Sequence, residues 1–188
     1  MGSSIPQAAM HNVFVYGSLL ADDVVRVLLH RVPRSSPAVL RDFHRFSIKG
    51  RVYPAILPIE AKEVVGKVLL DITPFELEIL DYFEDDEYER KTVDVYLMES
   101  CGVMPKGPKS DSKDTSEKMQ VDTYVWCNKS DPNLYGEWDF EEWKRLHKED
   151  FIKMSMGFME ELQLPESKPR VATYESFYQQ KDDRTSMA

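Results

Sequence analysis

The feature that most restricts the fold of this chain is a series of short β-branched and aromatic runs that helices do not regularly separate. Residues 13–16 form the first, stopped by Gly17 and Ser18. Residues 38–48 follow with basic and aromatic positions interleaved. A turn at Lys49 and Gly50 then leads to 53–57, whose prolines suit an edge or loop strand. Residues 64–72 carry Gly66, the mark of a bulge. Residues 90–97 alternate, with Val93, Val95 and Leu97 on one face, and 121–127 make the last run. A doubly wound fold needs a helix between successive parallel strands, and this order does not supply them. The sequence therefore predicts an α+β chain, a small and mostly antiparallel β-barrel or curled sheet with helices packed on it.

Helix signals are fewer. Asp22 can cap a segment containing Val24, Val25, Val27, Leu28 and Leu29, closed by Pro33 and Pro37. Thr73, Pro74 and Glu76 make a capping box with proline at the first helical position, which predicts a helix to about Phe83. Asp139 with Glu142 starts one long helix bearing Trp143, Leu146, Phe151, Met154, Phe158, Met159 and Leu162 at helical spacing. That stripe is read first as a face packed on the body of the protein, and second as a partner groove. The resulting organisation is a flexible arm at 1–12 and a domain at 13–127 with a disordered insertion at 99–120. A helical extension at 128–164 and a polar tail at 165–188 follow.

Composition excludes several classes of function. Asp and Glu number 33 against 24 Lys and Arg, a formal charge of −9, which offers no cationic surface for a nucleic-acid backbone. No apolar run approaches the roughly 18 residues of a membrane span. The N-terminus lacks the basic-then-apolar pattern of a secretory leader, and Pro6 stands where a myristoylation signal carries Ser or Thr, so a cytoplasmic location is expected. Cys101 and Cys127 with four scattered histidines build neither a disulfide framework nor a metal site.

Phosphate-loop, dinucleotide, nucleophile-elbow and zinc-protease motifs are missing. Ser18 has no histidine near it in sequence, although a distant partner among His30, His44 and His147 stays open. Two features remain. The strand and turn Val15, Tyr16, Gly17, Ser18, Leu19, Leu20 can aim backbone N–H groups at one point, a cradle for a carboxylate or oxyanion; the plainer reading is a strand end. The second is Glu84. At about 100° per residue, Phe75, Leu77, Ile79, Leu80 and Phe83 form one apolar arc, and Glu84 projects within it. Burial, neighbouring carboxylates and the negative end of the helix dipole all push such a group toward its protonated form, which suits a general base or acid. A frayed, solvated helix end is the alternative.

Val13 to Leu19, followed by Leu80-Asp81-Tyr82-Phe83-Glu84 and by Tyr88-Glu89-Arg90, resembles the γ-glutamyl cyclotransferase-like superfamily. Within it the similarity is to the plant branch of avirulence-induced proteins related to γ-glutamylamine cyclotransferase. Tyr53 and Pro54 also resemble a tyrosine-proline segment found there. The resemblance implies a small β-barrel with flanking helices and a C-terminal helix, a small-molecule γ-glutamyl substrate and no cofactor. It implies substrate binding by Val15, Tyr16, Gly17, Ser18, Leu19, Leu20, Tyr53, Pro54, Tyr88 and Arg90, with Glu84 as proton acceptor. Tyr16 stands where the glutathione-specific branch differs, so glutathione is not the first expected substrate. An inactive γ-glutamyl-binding or protein-interaction module is the alternative function.

Overall fold

The computed structural model describes residues 9–98 and 117–162. Five strands close into a barrel in the order β3-β1-β5-β4-β2, with β2 pairing back onto β3. β1 (His11–Val15) is flanked on both sides, antiparallel to β3 (Ala55–Ile72) and parallel to β5 (Lys118–Trp126). Its neighbours pair both of its edges, and Val13, Phe14 and Val15, which point alternately to the two faces of the sheet, are all buried. β2 (Ser35–Ile48) pairs antiparallel with β3, and β4 (Tyr88–Leu97) with β5. A two-residue strand, β6 (Leu134–Tyr135), adds to the end of β2 and had no sequence signal.

Several expectations need correction. Residues 53–57 and 64–72 are not separate strands: 55–72 run continuously as β3. Pro58 is accommodated where the β2–β3 register breaks, with Arg41 opposite Glu63 but Phe43 opposite Pro58. Asp42 and Ala61 take left-handed backbone there, and the Asp42 carboxylate accepts the Ala61 N–H at 3.0 Å. Gly66 is not a bulge, since the β2–β3 register runs through it unshifted. It is a close-approach glycine: a Cβ there would lie 2.2 Å from the Val15 carbonyl oxygen. β5 begins at Lys118, inside the segment expected to be disordered, because Met119 pairs with Val95 and extends the ladder. Of the arm expected at 1–12, His11 and Asn12 instead open β1 and residues 1–8 lie outside the described residues, as do 99–116 of the insertion and the whole tail expected at 165–188.

α1 (Asp22–Leu29) and α2 (Pro74–Glu84) are the expected helices, but Asp22 is the first helical residue of α1 and not its cap: Ala21 holds that place without a side-chain bond, and the Asp22 carboxylate accepts from Lys67 at 2.9 Å. Thr73 and Glu76 make the capping box in both directions, and Arg31 grips the Glu76 carboxylate with Nε at 2.8 Å and Nη2 at 2.7 Å. Phe75, expected in the apolar arc, is 70% exposed. The predicted long C-terminal helix is two, α3 (Phe140–Leu146) and α4 (Lys148–Leu162). Trp143 and Phe151 are eight residues apart and would point about 80° apart on one straight helix. The break at His147 lets both bury, with ring centroids 5.5 Å apart, and leaves Leu146 exposed. The remaining stripe packs on the body: Phe151 and Phe158 meet Phe83 of α2 edge-on at 6.0 and 5.4 Å. Among the described residues no helix is long and apolar enough to cross a membrane.

Candidate active site

Where β1 ends, the chain leaves the barrel through Tyr16 and Gly17 into a single 3₁₀ turn, Ser18–Leu20. Two backbone bonds close that turn, Leu20 N–H to the Gly17 carbonyl at 2.9 Å and Ala21 N–H to the Ser18 carbonyl at 3.1 Å. The amides opening a helical turn lack acceptors within it, and no side chain caps this one. Gly17 is required by space: a Cβ would sit 2.8 Å from both Cγ and Cδ of Pro54. The turn is thereby pressed against the segment 53–54 that precedes β3.

Across from the turn stands the end of α2. Glu84 is its last residue, and Asp85 leaves the helix with φ 61°, its N–H still bonded to the Asp81 carbonyl at 3.0 Å. Together they bound a narrow cavity of about 30 Å³, lined by Val15, Tyr16, Gly17, Ser18 and Leu19 from the turn and Glu84 from the helix. Tyr53, Pro54 and Tyr88 complete the expected lining. Phe14 and Phe83, which lie within the two motifs but were not expected to bind, also line it, and Tyr124 and Phe151 join it without a sequence signal. Glu84 is the one carboxylate among these lining residues, and it is half-buried.

Hydrogen bonds fix the walls. The Tyr16 hydroxyl donates to the Tyr124 carbonyl, and the Tyr124 hydroxyl donates to Asp81 Oδ1 at 2.8 Å. Tyr88 donates to the Pro54 carbonyl at 2.6 Å, and Tyr53 to Glu87 Oε1 at 2.9 Å. Burial, with the Glu84 charge adding to it, drives the Tyr16 phenol well above its ordinary range; Arg45 pulls the other way. Tyr124 is raised by burial, then by Asp81 and by Glu84. Both phenols therefore stay neutral donors at neutral pH.

Two expected residues fall outside the lining. Leu20 spends its N–H within the turn. Arg90 is on β4, exposed, with Nε 3.5 Å from Asp81 Oδ1. It borders a second, wider groove of about 660 Å³ that shares Tyr88 and Tyr124 with the cavity and carries Glu78, Asp81, Asp85 and Asp86.

Known proteins share the sequence and the fold of this chain. A family model described as "Gamma-glutamyl cyclotransferase, AIG2-like" matches residues 13–145. The Arabidopsis thaliana protein named AIG2-like protein D is 59% identical over 84% of this chain and 95% of its own length. AIG2-like protein C from the same plant is 54% identical, covering 92% and 91%. A solution structure of an A. thaliana protein, 47% identical, aligns with a TM-score of 0.57 over 88% of this chain and 100% of that one.

Proposed function

The chain belongs to the gamma-glutamyl cyclotransferase, AIG2-like family, and from that premise we propose that it converts a γ-glutamyl amine or amino acid into 5-oxoproline, releasing the amine. The observation that carries the proposal is the meeting of the Gly17 turn and Glu84 in one cavity although 67 positions separate them (84 − 17).

The chemistry suits a site without a built nucleophile. The substrate's own α-amine attacks its γ-carbonyl carbon, forming a five-membered ring, and the bond from that carbon to the leaving nitrogen breaks. Attack within one molecule leaves three tasks: to hold the folded conformer, to stabilise the oxyanion and to move a proton. Tyr53, Pro54, Tyr88 and the strand end shape the holding walls. Amides of the turn face the oxygen that becomes charged. Glu84 takes the proton from the α-amine and returns it to the departing nitrogen. The leaving group extends into the acidic groove beyond Tyr88 and Tyr124, which favours a neutral or cationic amine over an acidic one.

Incubation of the purified protein with a panel of γ-glutamyl amines and γ-glutamyl amino acids, followed by measurement of 5-oxoproline, tests the reading. The wild type should turn over, and E84Q should bind and not turn over. The acidic limb of the pH–rate profile, where the base is protonated and activity falls, should belong to Glu84. Binding without product across the panel would instead identify a ligand-binding module. An unchanged profile in E84Q would remove Glu84 from the mechanism.

A further inference from the structure

Arg45 lies on β2, outside the cavity lining, and reaches behind the turn. Its Nη1 donates to the Tyr16 carbonyl at 2.7 Å and to the Val65 carbonyl at 3.2 Å. Trp138 covers it, with the guanidinium carbon 5.3 Å from the ring centroid. Trp138 is itself fixed from two directions, its backbone N–H to the Arg45 carbonyl at 3.1 Å and its indole N–H to the Val52 carbonyl at 2.9 Å. The Arg45 Nε is buried with no hydrogen-bond partner among the described residues. Arg45 is half-buried, and burial pulls its pKa below the ordinary value while the charges of Glu137 and Asp139 oppose that shift.

What the cation does at this place follows from peptide geometry. The Tyr16–Gly17 peptide is trans, so its carbonyl and its N–H point in opposite directions. A cation bound to the Tyr16 carbonyl from behind turns the Gly17 N–H to the far side, the side of the cavity that Gly17 lines. The positive charge also polarises the linkage and makes that N–H a stronger donor. We infer that Arg45 is a positioning residue that aims and polarises the Gly17 amide toward the developing oxyanion, with Trp138 as its cover. This rests on the reading of the turn as the oxyanion site proposed above.

The test uses R45M and R45Q, with R45K as the conservative variant, in the full chain. Steady-state kinetics and the Gly17 amide resonance of ¹⁵N-labelled protein are both read. In R45M and R45Q kcat should fall about 10- to 100-fold with KM changed less than about threefold, because the effect belongs to the transition state. The Gly17 amide proton should move upfield in both. R45K, which keeps a charge against the carbonyl, should recover most of kcat and of the shift. R45Q retains a polar donor and is read alone if R45M does not fold. A Gly17 resonance that stays in place in R45M or R45Q, or equal losses in the Lys and Gln variants, would overturn the inference. If the wild type releases no 5-oxoproline, the cyclotransferase reading fails separately. The Gly17 resonance then still decides: movement in R45Q reversed in R45K supports the role of Arg45, and no movement refutes it.

Discussion

Gly17→Ala is the substitution whose outcome the geometry constrains most tightly. The added Cβ would stand 2.8 Å from two carbons of the Pro54 ring, a separation at which neighbours must shift. A proline ring cannot rotate away as a flexible side-chain end would, so the turn itself moves by several tenths of an ångström. Overpacking of this kind costs about 1–3 kcal/mol. For a chain of this size that lowers the melting temperature by roughly 2–12 °C. The same displacement takes the amides off the oxyanion position, and loss of one such donor costs about 100- to 1,000-fold in kcat. Thermal melting and 5-oxoproline release read the two effects. Pro54→Ala removes the two carbons the new Cβ would meet, so the G17A/P54A double variant should regain about tenfold or more of the lost kcat and show coupling of about 1–2 kcal/mol. Wild-type kcat and melting in G17A, or a double variant no better than G17A, would refute the steric argument and the role of the turn with it.

Ser18→Ala should lower kcat by less than about tenfold, since the turn acts through backbone groups. A collapse as deep as that of E84Q would point to a covalent route through the hydroxyl. Glu76→Gln should destabilise the chain by about 2 kcal/mol at neutral pH through the weakened capping box and Arg31 pair, read by urea denaturation. The Arg31 hydrogen bonds hold the Glu76 carboxyl below its ordinary 4.5, so its stabilising share is full above that value and is lost as pH falls through the lower folded one. The gap between wild type and E76Q should therefore narrow progressively as pH falls below 4.5; a constant gap would separate the residue's charge from its effect.

Local chemistry was legible in the sequence wherever one short segment contained all of it. The Thr73 box reads correctly because Thr73, Pro74 and Glu76 satisfy one another within a single turn of helix. The barrel class was legible in the order of the apolar runs. Where neighbours in space decide, the same letters mislead: Gly66 has the composition of a bulge, yet the Val15 carbonyl pressing on it is the cause. Pro54 and Pro58 look like strand breakers, but one abuts Gly17 and the other falls at a register break. Tyr124 and Phe151 gave no site signal. The parallel β1–β5 pairing carries the first to the cavity, and the helix break at His147 lets the second bury beside Trp143. Glu84 was separable from the other carboxylates by its place on the α2 arc, while its meeting with Gly17 came from the family resemblance and not from any local pattern.

The most direct test of the central claim is a crystal structure of E84Q soaked with a γ-glutamyl amine. The account predicts the γ-carbonyl oxygen within hydrogen-bond distance of the Gly17 turn amides, the α-amine beside residue 84, and the leaving amine directed past Tyr88 and Tyr124. A ligand seated elsewhere, or one whose α-amine is far from residue 84 while its carbonyl faces the turn, would contradict it.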